Sequence, residues 1–207
     1  MTIRARMVQT EKDAISLKKR GFSRKKSLFL TSRIYIIKKN ELEDVKMSIE
    51  AVRAYLAQYD KETAVREFDV SSATVELAAA AVGVEGARIC KTLAFQDKEG
   101  GCILVCAAGD GKISNRRFKD TFGLKAKLLS HADTARMTGH AVGGVCPFAL
   151  PDHVAVYCDE SLKRFETVFP AAGTANSAVE LTPEELFTIS HARSWVNVCD
   201  LPAPAEG

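Results

Sequence analysis

Residues 138–151, TGHAVGGVCPFALP, place three glycines, two prolines, one histidine and one cysteine in fourteen positions. Glycine adopts positive φ and lets another molecule approach closely, whereas proline fixes φ and has no N–H to donate. Composition alone favours a rigid turn that joins two elements. The Gly143 to Pro147 loop can also hold backbone N–H groups in a fixed arc, which suits an oxyanion or a phosphate.

Strand-like and helix-like segments alternate irregularly around this turn. Two apolar runs, 88–95 and 102–108, flank a polar turn and predict a buried hairpin. Helices are predicted at 48–59, 75–81, 115–122, 130–137 and from Thr182, and short strands at 64–69, 154–158, 167–169 and 178–181. Without a steady βαβ rhythm, the pattern predicts an α+β fold: one compact domain with a mixed, mostly antiparallel sheet and surrounding helices.

The first 46 residues differ from the rest of the chain in charge. They carry 13 basic and 5 acidic residues, net +8, whereas the remainder carries 16 and 21, net −5. A basic arm that binds RNA and a targeting sequence are both possible interpretations. We favour a disordered extension or a start-site artefact, because Met47 reads like a natural start and residues 42–46 can be encoded by a ribosome-binding sequence. The predicted domains are thus 1–46, a functional domain over 47–200, and a frayed tail over 201–207.

The cysteines and the hydropathy pattern set the expected environment. Six cysteines, at 90, 102, 106, 146, 158 and 199, form no C-x-x-C pair and have no zinc-site spacing, so we expect buried reduced thiols and no metal or other cofactor. No apolar run is long enough to span a membrane, and no signal peptide is evident. We therefore expect a cytoplasmic protein without a membrane partner.

The order of five short segments resembles the YbaK family of trans-editing deacylases, which are related to the inserted editing domain of bacterial prolyl-tRNA synthetase. These segments are Phe68-Asp69 with residues 71–74, Cys90-Lys91-Thr92-Leu93, Ala107-Ala108-Gly109-Asp110, residues 139–147, and Phe165-Glu166-Thr167-Val168. The resemblance covers residues 47–200. It implies a metal-free domain that hydrolyses an amino acid wrongly esterified to tRNA, most often the tRNA for proline.

The resemblance also implies site residues. The family's functional lysine corresponds to Lys91, which would hold the phosphate or ribose of the terminal adenosine. From the strand alone, Lys91 would more often lie on a solvated face. The N–H groups of Gly143 and Gly144 would stabilise the oxyanion, an effect of about 3 kcal/mol per donor. The predicted substrate pocket consists of Ser72, Thr74, Gly109, Asp110, Val145, Cys146, Pro147, Ala172 and Gly173.

Two alternatives to this function remain open at this point. Cys146 and His140, six positions apart, allow a thiol nucleophile in a hydrolase of another small ester or amide, although Cys146 also reads as a pocket wall. A domain that binds tRNA or a synthetase without catalysis is the other alternative. Both the deacylase and the non-catalytic binding domain would contact tRNA, and prolyl-tRNA synthetase is a possible partner. We expect the contact with tRNA through a basic group: Lys112, Arg116, Arg117, Lys119, Lys125 and Lys127. Its members can equally form a solvated helix face. The family's cysteine-clearing branch usually has serine at Cys146 and leucine at Phe148, so the amino acid that is cleared stays open.

Overall fold

A computed structural model describes residues 49–203. The predicted basic extension and most of the predicted tail fall outside these residues. Nine strands lie in the described part: β1 (Val65–Glu67), β2 (Ile89–Gln96), β3 (Cys102–Ala108), β4 (Lys112–Ile113), β5 (Val154–Asp159), β6 (Phe169–Pro170), β7 (Ser177–Val179), β8 (Trp195–Val196) and β9 (Cys199–Asp200).

Five α-helices accompany these strands in the same part of the chain: α1 (49–56), α2 (Val75–Val82), α3 (Asn115–Phe122), α4 (His131–Thr138) and α5 (Pro183–Ile189). Their ends follow capping chemistry. The Thr74 side chain accepts the Leu77 N–H at the start of α2, and Gly83 ends that helix with φ of 84°. Thr182 and Glu185 form a reciprocal capping box at the start of α5.

The central sheet has the strand order β6-β2-β3-β5-β8. The predicted hairpin is its centre, with β2 and β3 antiparallel over seven residue pairs. The fold class and the mixed sheet are confirmed. The description "mostly antiparallel" is wrong for this sheet, because the other three strand pairs are parallel. A short turn makes β2 and β3 antiparallel, whereas the long connection through α3 and α4 returns β5 in the same direction as β3. The two-stranded β1–β7 and β4–β9 pairs are antiparallel.

The sheet separates two apolar clusters. Leu104 and Cys106 of β3 pack on the side of α1 and α5, whereas Ile103 and Val105 pack on the side of α3. On that second side, the Phe118 ring of α3 lies 4.7 Å from the Phe95 ring, centroid to centroid. All six cysteines are free and buried, as the sequence predicted. Within residues 49–203, both faces of the sheet are thus covered by packed apolar side chains.

Candidate active site

A pocket of about 310 Å³ lies at an edge of the central sheet, beside β2. The edge is covered at one end by β6, which pairs with Ile89 and Cys90. At its other end the 127–129 segment covers it, because Leu129 N–H donates to Ala94 O (2.9 Å) and Gln96 N–H donates to Lys127 O (2.9 Å). Between these two covers no strand of the described chain pairs with β2. The pocket occupies this gap.

The pocket wall is mostly apolar, with a few hydroxyl groups and two basic side chains. It is formed by Ser72, Ala73, Thr74, Val75, Ala78, Ile89, Cys90, Lys91, Thr92, Leu93, Ala94, Leu128, Leu129, His131, Thr134, Val142, Gly143, Val145, Phe169, Ala171, Ser177 and Ala178. Exposed Leu128 and Val142, 58% and 45% accessible, give it an apolar rim. Five predicted site residues are therefore on the wall: Lys91, Ser72, Thr74, Gly143 and Val145.

Lys91 is half-buried and its ammonium is held by the turn that follows β3. It donates to the carbonyl oxygens of Gly109 (3.2 Å) and Gly111. Burial lowers the pKa of this amine, and the nearby Cys199, Asp110 and Asp159 partly offset the effect. Because an ammonium has three N–H donors, one remains for another acceptor.

Gly109 itself cannot carry a side chain in this turn. A Cβ at Gly109 would lie 2.0 Å from the Gly86 carbonyl oxygen and 2.8 Å from Val75 Cγ1. The predicted Asp110 lies beside it and makes two contacts with the Arg164 guanidinium, at 2.5 and 3.0 Å. Neither of these two residues lines the pocket, but the Gly109 carbonyl oxygen accepts a hydrogen bond from the Lys91 ammonium.

The Gly143-Gly144 pair does not offer two equivalent N–H donors. Gly144 N–H donates to Ala141 O at 2.9 Å inside a turn, so the expectation of two donors reduces to one. Gly143 has φ of 94°, and within residues 49–203 no acceptor is bonded to its N–H. A Cβ on Gly144 would come within 2.7 Å of the Thr174 backbone. Gly144 thus lets the loop pack on Thr174, and Gly143 faces the pocket.

Cys146 and His140 are neighbours, yet their environment does not suit a nucleophile. The Cys146 sulfur is fully buried, 3.5 Å from His140 Nε2. His140 Nε2 is 2.9 Å from Phe148 O, and because a carbonyl only accepts, that nitrogen carries the proton. It therefore cannot accept the thiol proton. Burial raises the pKa of Cys146 to about 12, which opposes thiolate formation.

Three other predicted pocket residues are buried like Cys146 and do not line the pocket: Pro147, Ala172 and Gly173. Gly144, predicted as an oxyanion donor, is also buried and absent from the wall. The Gly173 N–H is used by the Cys146 sulfur, which lowers the thiol pKa slightly against the larger effect of burial. These residues are thus part of the buried packing of the protein and do not contact a molecule in the pocket.

The basic group lies on α3 and the segments around it, and its six members are exposed. Arg116 faces Asp120 at 4.0 Å, and Arg117 contacts Asp200 at 3.2 Å. Lys127 directly precedes the rim residue Leu128, which places part of this group beside the pocket mouth.

Sequence reasoning missed several wall residues, among them Thr92, His131, Thr134 and Val142. Helix α4 was predicted, and its cap Ser130 is where the pattern placed it. Which side of α4 faces the pocket depends on packing, and no signal in the sequence showed it. Within residues 49–203, no group of three or more His, Cys, Asp or Glu side chains is arranged to hold a metal ion. In that same range, no helix combines the length and apolar character needed to cross a membrane.

Comparisons with known proteins show the family to which this domain belongs. A family model described as aminoacyl-tRNA editing domain matches residues 69–189. "Uncharacterized protein YwhH" of Bacillus subtilis (strain 168) is 50% identical over 153 residues, 74% of this chain and 98% of that protein. "Putative Cys-tRNA(Pro)/Cys-tRNA(Cys) deacylase EbsC" of Enterococcus faecalis (strain ATCC 700802 / V583) is 23% identical over 58% of this chain and 74% of that protein.

A solved structure is similar as well. It is titled "Crystal structure of a putative trans-editing enzyme for prolyl tRNA synthetase" and has a TM-score of 0.67 with 27% identity. The match covers 74% of this chain and 97% of that one.

Proposed function

The chain belongs to the aminoacyl-tRNA editing domain family, and from this premise we propose that the pocket on the β2 edge is where it removes a wrongly attached amino acid from tRNA. The resemblance to the YbaK family and the trans-editing deacylase function, both predicted from the sequence, are confirmed by the family match together with the similarity to a protein named as a Cys-tRNA(Pro)/Cys-tRNA(Cys) deacylase, "Putative" in its printed name, and to a structure titled "putative trans-editing enzyme for prolyl tRNA synthetase". The assignment of the reaction to this pocket and to particular residues is the proposal.

One observation carries that assignment: five of the predicted site residues, with Lys91 and Gly143 among them, share the wall of one pocket, and that pocket lies in a gap of the sheet edge. In the reaction, water adds to the ester carbonyl, and the bond to the ribose oxygen then breaks. The products are the free amino acid and a ribose hydroxyl, which receives the proton. The Gly143 N–H stabilises the negative charge on the carbonyl oxygen. The third N–H of Lys91 holds the terminal nucleotide.

The tRNA body then lies along the basic group. Lys127 adjoins the rim residue Leu128, so a 3′ end entering the pocket brings the acceptor stem towards Lys125 and α3. Each phosphate contact adds a salt-dependent increment to the affinity. Because residues 47–207 carry net −5, free tRNA binds weakly, and a synthetase that holds the same tRNA supplies the remaining affinity.

The tRNA for proline is the substrate we favour, and prolyl-tRNA synthetase is the partner. The names of two relatives support this: one refers to Cys-tRNA(Pro) and the other to prolyl-tRNA synthetase. We place the reaction in the cytoplasm, where tRNA is charged.

The test is a panel of mischarged and correctly charged tRNAs, incubated with the full chain under single-turnover conditions. We expect rapid deacylation of at least one mischarged tRNA for proline, and rates at the uncatalysed level for correctly charged tRNA. Lys91→Ala is the matched control, since it should lose most of the rate. If no mischarged tRNA is hydrolysed above the uncatalysed rate, the proposed function is wrong.

A further inference from the structure

The backbone of Thr92 faces the open gap in the β2 edge. Residues of a strand alternately direct their N–H and C=O groups to opposite sides. The C=O of Ala94 and the N–H of Gln96 bond to the 127–129 segment, away from β3, whereas Asp97 N–H donates to Gly101 O at 3.0 Å, towards the β3 side. The backbone N–H and C=O groups of the even-numbered residues of β2, including Thr92, therefore point away from β3.

Thr92 is the residue of β2 that both neighbouring covers leave open. The parallel partner β6 reaches only as far as Cys90, and the 127–129 segment begins its bonds at Ala94. The Thr92 residue lines the pocket. Its N–H and C=O thus both face the gap. The pairing of Thr92 with Cys106 of β3 depends instead on the backbone groups of its neighbours in the strand, Lys91 and Leu93.

An aminoacyl ester has the complementary pair of groups. Its α-ammonium donates and its carbonyl oxygen accepts, at the spacing that one residue has in a strand, and two residues opposite each other in an antiparallel pair exchange two such bonds. We propose, on the basis of the function proposed above, that the aminoacyl group of the substrate pairs with Thr92 as a one-residue strand. The Thr92 N–H donates to the ester carbonyl oxygen, and the Thr92 C=O accepts from the α-ammonium.

This pairing gives Thr92 a positioning and an electrostatic role. The bond to the ammonium fixes the ester relative to the strand, whichever side chain the amino acid has. When water adds to the carbonyl carbon, the carbonyl oxygen becomes negative, and its bond to the Thr92 N–H strengthens. Gly143, across the pocket, supplies a second N–H to the same oxygen.

Proline at position 92 tests the role of this N–H with little disturbance of the ladder. Because the Thr92 N–H points away from β3, Thr92→Pro removes a donor that no strand uses, as proline does at strand edges. Thr92→Val is the matched reference, since it removes the hydroxyl and keeps the N–H. We expect a single-turnover rate about 100-fold lower for Thr92→Pro than for Thr92→Val, with similar melting temperatures and similar affinity for uncharged tRNA.

A second measurement decides the question if Thr92→Pro fails to fold. The wild-type chain is given its best aminoacyl-tRNA and the matching α-hydroxyacyl-tRNA, in which a hydroxyl replaces the ammonium, and each rate is divided by that of uncatalysed hydrolysis. We expect the ratio of catalysed to uncatalysed rate to be about tenfold or more lower for the α-hydroxyacyl-tRNA, because this substrate cannot form the charge-assisted hydrogen bond of the ammonium.

The outcomes separate this inference from the function on which it rests. A wild-type chain that is active, together with a folded Thr92→Pro as fast as Thr92→Val, overturns the pairing and leaves the deacylase function in place. If the proline variant does not fold, equal relative rates for the two substrates overturn it. A wild-type chain that is inactive on every mischarged tRNA overturns both.

Discussion

Replacement of Cys146 by serine should leave deacylation largely intact. The Cys146 sulfur is fully buried behind the pocket wall, takes the Gly173 N–H and lies 3.9 Å from the Phe148 carbonyl oxygen. A serine hydroxyl is slightly smaller, can donate to the same carbonyl and can accept the same N–H. The change therefore keeps the packing of the loop and removes only the thiol.

The size of the effect follows from the environment of the thiol. Burial raises the pKa of Cys146 to about 12, so at pH 7 the thiol stays protonated and the thiolate, the form that attacks a carbonyl, is scarcely populated. His140 cannot remedy this by accepting the proton, since its Nε2 hydrogen is committed to Phe148 O. We expect Cys146→Ser to retain at least a tenth of the wild-type rate, a change in activation free energy of at most about 1.4 kcal/mol.

The assay is single-turnover hydrolysis of a mischarged tRNA by wild type, Cys146→Ser and Cys102→Ser. Cys102 is a matched control because it is also buried and does not line the pocket. Both variants should react at similar rates, and acid quenching should trap no acyl-enzyme. Loss of all activity in Cys146→Ser alone, with a thioester trapped on the wild type, would refute this reasoning and restore the cysteine-dependent hydrolase.

Three further predictions concern the rest of the domain. Lys91→Ala should remove most of the single-turnover rate without unfolding the chain, and Lys91→Arg should not restore it, because a planar guanidinium cannot replace an ammonium between two carbonyls; near-normal rates for either would contradict the role. Gly144→Ala should lower the free energy of unfolding by about 1–3 kcal/mol in a urea titration, since its Cβ would press on the Thr174 backbone, and an unchanged midpoint would contradict the close packing. Burial raises the pKa of Cys102 to about 11 and of Cys199 to about 12. Because both values lie above the value near 9 of the unfolded chain, the two thiols contribute fully to stability below pH 9. This contribution should be lost as the pH rises towards 12, by up to about 1.4 kcal/mol per pH unit for each thiol. A urea midpoint that stays flat from pH 9 to 11 would count against this expectation.

Local chemistry made much of the fold predictable. Helix α3 was predicted at the residues where it is found, because Gly123 ends it with φ of 69° and such an end is marked by glycine in the sequence. The hairpin of β2 and β3 was predictable from two apolar runs around a polar turn. The direction of β5 was not predictable in this way, because it depends on where the chain returns after two helices.

The candidate site was predictable only in part, for a related reason. The resemblance pointed to Lys91 and to the loop at Gly143, and both are on the pocket wall. It did not distinguish Gly143 from Gly144, since the difference lies in one hydrogen bond to Ala141. Nor did the sequence separate wall residues from buried residues of the same loop, such as Cys146, because that distinction depends on how the loop packs on Thr174.

The gap in the β2 edge depends on where two unrelated segments stop. Strand β6 ends at Pro170, and the chain then forms an isolated antiparallel pair between Ala171 and Ala178 instead of continuing along β2. At the other end, the covering segment reaches β2 just before Ser130 caps the next helix. Each stop has an ordinary local cause, and neither by itself suggests a binding site. Together they leave about one residue of strand edge unpaired, at Thr92, between an anchored lysine and a glycine with positive φ, and an unpaired edge of that length suits an aminoacyl group better than a peptide.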